Sequence, residues 1–102
     1  MLLFFKENDN LVRWDGMSRA SDGAYVNDAT VTFVLKDSDN LLIVAGAMPY
    51  VAGSNGRYQG VVQSDAVLGD ADSVVWLEVT AVAGVLNGFR RIQGRVAYRK
   101  EN

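Results

Sequence analysis

SVVWLEVTAV, residues 73–82, alternates: Val75, Leu77, Val79 and Ala81 are all apolar, while Val74, Trp76, Glu78, Thr80 and Val82 between them are mixed. A period of two puts each set on one face of a β-strand. A wholly apolar face backed by a mixed one is the pattern of a strand inside a sheet whose outer face is partly covered. TVTFVLK at 30–36 repeats the alternation, with Val31, Phe33 and Leu35 against Thr30, Thr32 and Lys36, and only Val34 out of pattern. At 89–99 Ile92, Gly94, Val96 and Tyr98 can face inward while Arg91, Gln93, Arg95 and Arg99 face out. No window places its apolar residues at the i, i+3, i+4, i+7 spacing of a helix.

Turn-forming clusters separate these runs at short, even intervals: NDN at 8–10, DG at 15–16, SDG at 21–23, DSDN at 37–40, SNG at 54–56, LGDAD at 68–72 and NG at 87–88. Even spacing of short strands predicts an all-β fold, an antiparallel β-sandwich of about seven to eight strands. LLFFKE is expected to pair with LVRWDG as an N-terminal hairpin within 1–17, DSDN to join 30–36 to LLIVA at 41–45, and Leu86-Asn87-Gly88 to turn the chain between the last two strands. With 102 residues, the whole of 1–102 is read as one domain with one core.

The composition is globular, 49% apolar and 22% charged, and no apolar run reaches the length of a membrane span. MLLFF is cut short by Lys6 and Glu7 without a small-residue cleavage pattern, so no export signal is expected. Neither cysteine nor histidine occurs. Thiolate chemistry, the usual zinc ligands and every Ser-His or Cys-His nucleophile are thereby excluded. Carboxylates, lysines and tyrosines remain, and among the acids only Glu78 lies inside a strand, where a cross-strand ion pair is the simpler role. No catalytic, cofactor-binding or metal-ligating residue is assigned.

PYVAGSNGRYQG at 49–60 has the glycines of a phosphate loop, but Arg57 follows Gly56, no Ser or Thr comes next, and the continuation reads as a strand. It is expected to be a loop handing the chain into a strand. Asp37, Asp39 and Asn40 open like a calcium loop, yet Leu42 and Met48 stand at the positions where such a loop needs Gly and Glu. A polar turn is the simpler reading.

The charge is uneven. Arg90, Arg91, Arg95, Arg99 and Lys100 face only Glu101 at the C-terminal end, on a chain whose net charge is −2. A cationic strand face can meet a nucleic-acid backbone, an acidic neighbouring subunit or only solvent; on an acidic chain nucleic acid is the weaker choice. Trp14, Tyr50 and Tyr58 are the candidate ligand aromatics, and the unbroken run Leu2, Leu3, Phe4 and Phe5, which cannot face one core along its whole length, is with Arg91, Arg95 and Arg99 the candidate interface.

The order VNDATVTFVLKDSDN, a small apolar strand, GSNGRYQGVV with its Gly56, Tyr58 and Gly60, then SVVWLEVTAVAG and a basic terminal strand resembles immunoglobulin-like modules of bacteriophage and prophage virion proteins. The resemblance covers residues 22–99. It implies a non-enzymatic structural part of a head, neck or tail attachment, assembled in the host cytoplasm as a symmetric homo-oligomer with other virion proteins. From the composition, no cofactor and no membrane is expected. The alternative is a β-sandwich that binds carbohydrate or a surface partner through Trp14, Tyr50 or Tyr58.

Overall fold

The computed structural model describes residues 2–98. Its strands are β1 (Leu2–Phe5), β2 (Asn10–Trp14), β3 (Thr30–Asp37), β4 (Leu42–Ala47), β5 (Tyr58–Val62), β6 (Val74–Ala83) and β7 (Leu86–Ala97). The fold is all-β. β1-β7-β6-β3-β4 form a curled five-stranded sheet, and β2-β5 a second, two-stranded one. The alternation in the sequence decides what is buried: Val31, Phe33 and Leu35 from β3 and Val75, Leu77, Val79 and Ala81 from β6 meet Val12, Tyr58 and Val62 from the small sheet in one core. On β7 Gly94 and Val96 face that core and Ile92 packs at its margin, whereas Tyr98, expected inside, is exposed.

Two local hairpins set the large sheet. Asp37 holds the β3–β4 turn, its Oδ1 accepting from the N–H groups of Asp39 and Leu41 at 2.9 and 3.0 Å, while Asn40 takes a positive φ of 62°. The β6–β7 turn is Gly84-Val85, between the paired Ala83 and Leu86, so Asn87 and Gly88 lie inside β7 and not in the turn where they were expected. A glycine in the first of two turn positions matches the strand twist, and Gly84 has φ 64°.

The expected N-terminal hairpin is not formed. β1 pairs parallel with β7, from Leu2 opposite Gly94 to Phe5 opposite Ala97, and β2 pairs antiparallel with β5. The large sheet is therefore mixed, not wholly antiparallel. Two side chains account for this. A methyl group at Gly94 would come within 2.7 Å of the Phe4 ring, so the missing side chain is the slot that takes Phe4 into the core. The buried amide of Asn10 then accepts from Phe5 N–H at 2.9 Å and donates to Phe5 C=O at 3.0 Å, standing where the peptide of a neighbouring strand would be. Residues 6–9 thus carry the chain from one sheet to the other, with Glu7 at φ 60°.

Candidate interaction surfaces

The glycine-rich stretch 49–60 is an internal support. Gly56 accepts from Met17 N–H at 2.9 Å and donates to Asn27 Oδ1 at 2.8 Å, and a methyl group there would come within 2.5 Å of the Met17 backbone. Arg57 points its Nε at Asp15 Oδ1, 2.6 Å away. Tyr58, a candidate ligand aromatic, is 0% exposed; its hydroxyl donates to Val26 C=O at 2.7 Å and accepts from Ala29 N–H at 3.1 Å. Its ring lies 5.6 Å from that of Tyr50, whose own hydroxyl donates to Ser54 C=O. Both tyrosines tie loops together, so Tyr58 is no surface for a ligand and Tyr50 is half-buried. Their signal was local spacing, which does not tell an inward ring from an outward one.

The cationic strand splits between the two faces of the sheet. Arg91 lies on the outer face, its guanidinium 4.1 Å from the Trp76 ring, its Nε 3.2 Å from Glu78 Oε2 and its Nη2 donating to Asn40 Oδ1 at 2.7 Å. Lys36 Nζ holds the other Glu78 oxygen at 2.9 Å. Glu78 is 18% exposed, so the carboxylate is shielded under two cations and forms the cross-strand ion pair expected of it. Arg95 stays exposed beside Leu3 and Val74. Arg90 turns to the inner face, 5.1 Å over the ring of Trp14. Arg99 lies outside the described residues. Of the apolar N-terminal run, Leu2 and Leu3 are exposed, Phe4 is buried and Phe5 is half-buried.

Beside Trp14 the two sheets part. Trp14, Ala29, Ala81, Ala83, Leu86 and Gly88 line an open apolar groove of about 270 Å³. Small side chains on β6 leave the hollow, and Trp14 closes one wall against Gly88. Arg19 at its rim is paired with Asp22 at 3.1 Å. The Asp22 carboxyl is held below its ordinary value, first by the Ala24 N–H it accepts, against an opposing effect of desolvation, with the charge and hydrogen bond of Arg19 adding to the lowering. The β6–β7 hairpin that overhangs the groove carries Val82, Val85, Leu86 and Phe89, which are 41%, 94%, 48% and 60% exposed. Sequence reading missed these four because the turn was placed three residues late. Val82 and Phe89 do stand at outward positions of the alternation, which was the available signal.

Among the described residues no group of three or more carboxylates is placed to share a metal ion, and no helix is long and apolar enough to cross a membrane. No protein-family model and no curated protein sequence matches the chain. Among the described residues, what the arrangement offers chemically is apolar contact surface on the β6–β7 hairpin and, beside it, a stretch of β7 edge with no partner strand.

Proposed function

We propose that this chain is a non-enzymatic assembly module of immunoglobulin type, built into a bacteriophage or prophage virion as a symmetric oligomer. The spatial order β7-β6-β3-β4 against β2-β5 corresponds to strands G-F-C-C′ against B-E of a variable-type immunoglobulin domain, which supports the architecture. The virion context rests on the resemblance of residues 22–99 described above. The observation that carries the functional reading is the concentration of Val82, Val85, Leu86 and Phe89 on one hairpin, next to an apolar groove. Clustered exposed apolar side chains mark contact surfaces, whereas scattered ones do not.

Sedimentation velocity tests it. The native chain is expected to sediment as an oligomer, and Val85→Asp with Leu86→Asp to shift it toward the single chain without loss of fold. An oligomer indifferent to both changes would remove the hairpin from the interface. A second reading has one observation in its favour: Trp14, flanked by Arg90, lines the groove in the manner of a stacking platform for a sugar or planar ligand. Titration of oligosaccharides against tryptophan fluorescence separates the two, since only a groove ligand would alter the Trp14 signal.

A further inference from the structure

The outer edge of β7 is bare over most of its length. β1 covers Gly94–Ala97 only, and among the described residues no strand pairs with Leu86–Gln93 on that side. The direction of the peptide groups follows from the bonds at the covered end. Ala97 C=O accepts from Lys6 N–H on the outer side, whereas Val96 bonds Ser73 and Asp72 on the inner side. Pairing with β6 runs without a register shift, so the alternation continues back along the strand. Asn87, Phe89, Arg91 and Gln93 therefore turn their N–H and C=O groups to the open edge.

We propose that this edge pairs with the same edge of a second copy, antiparallel about a twofold axis at Phe89, joining the two large sheets into one. The proposal rests on the assembly reading above and names its surface and register. Side-chain chemistry selects the register. With Phe89 on the axis, Phe89 faces Phe89 of the second copy, Asn87 faces Arg91, Leu86 faces Ile92 and Gly88 faces Arg90, so no guanidinium meets another. Moving the axis to Arg90 or Arg91 sets two arginines directly opposite, which like charges oppose. Moving it to Gly88 shortens the pairing. At Phe89 the outward peptide groups of residues 87, 89 and 91 all find partners, giving about six main-chain bonds.

The length fits as well. In this register Leu86 of the second copy arrives opposite Ile92, and its Gly84-Val85 turn bends back toward its own β6 just short of Gly94, where β1 begins with the exposed Leu2 and Leu3. The bare stretch ends where the second hairpin would end. Strand addition at an edge combines main-chain bonds with alternate side-chain contacts, and here the outer row supplies a Phe89 pair and the inner row Leu86 against Ile92.

The chain has no cysteine, so Phe89→Cys is a clean reporter: a hydrogen-bonded antiparallel pair holds its Cα atoms about 5.5 Å apart, within disulfide reach. The test combines oxidation of Phe89→Cys, with Leu42→Cys on the opposite edge strand as control, and sedimentation of the native chain and Phe89→Lys. Phe89 is exposed, so Phe89→Lys leaves the single chain folded, checked by an unchanged far-ultraviolet circular dichroism spectrum and a cooperative melt. The expected result is cross-linking at 89 well ahead of 42, with self-association weakened about tenfold or more by Phe89→Lys. If the native chain associates, Phe89→Lys associates equally and residue 89 does not cross-link, the edge pairing is wrong and the assembly reading stands. If the native chain is a single chain at every concentration and residue 89 does not cross-link, both fail.

Discussion

The Tyr58 hydroxyl sits under the core with a donor and an acceptor partner, and through Val26 and Ala29 it fixes the irregular segment that forms one wall of the groove. Tyr58→Phe leaves Val26 C=O and Ala29 N–H without that partner. It is expected to lower stability by about 1–3 kcal/mol in urea unfolding, the cost of stranding buried polar groups. At the groove rim Asp22 gives a second residue-scale prediction. Its folded-state value is depressed, so its contribution is present above the unfolded carboxylate value and fades as pH falls through the folded one. An NMR titration should place the Asp22 midpoint below that of an unstructured aspartate, and Asn at residue 24's donor partner position, as Asp22→Asn, should remove the acidic transition from the Ala24 amide shift. Neither role was legible in the sequence. The glycines and turn residues around Tyr58 marked a loop, but what its hydroxyl would meet depends on a segment some thirty residues away.

At the scale of elements, what the sequence disclosed was local and what it concealed was not. The β3–β4 hairpin was legible because Asp37 and Asn40 build their turn from adjacent residues, and the buried sets of β3 and β6 because alternation needs no knowledge of the partner strand. The N-terminal hairpin was misread because NDN is a plausible turn in isolation. The competing arrangement joins Leu2–Phe5 to Gly94–Ala97 from the other end of the chain, through a slot that only the absence of a side chain at Gly94 creates. Asn10 is the switch between the sheets. Asn10→Ala should detach β1 from the chain that follows it, costing about 1–3 kcal/mol and raising amide exchange at Phe5 and Lys6, while β3 and β6 keep their protection. Equal loss across all strands would contradict the local role assigned to the Asn10 amide.

Across the whole molecule the polar and apolar surfaces divide. Lys36, Glu78, Arg91, Asn40 and Trp76 satisfy one another on the outer face of the large sheet, which leaves Arg91 a support of that face and Arg95 its exposed cation. The exposed apolar side chains of the β6–β7 hairpin lie beyond this cluster, beside the bare edge of β7 and the groove under Trp14. Composition pointed to surface contact in place of catalysis, yet the surface it nominated, the run Leu2 to Phe5 with Arg91, is partly consumed by the fold through Phe4 and Glu78. The hairpin end takes its place, with Leu2 and Leu3 at the margin. Native mass spectrometry over a dilution series tests this account most directly. It predicts even-numbered assemblies that dissociate to dimers before single chains, and a single chain at every concentration would contradict it.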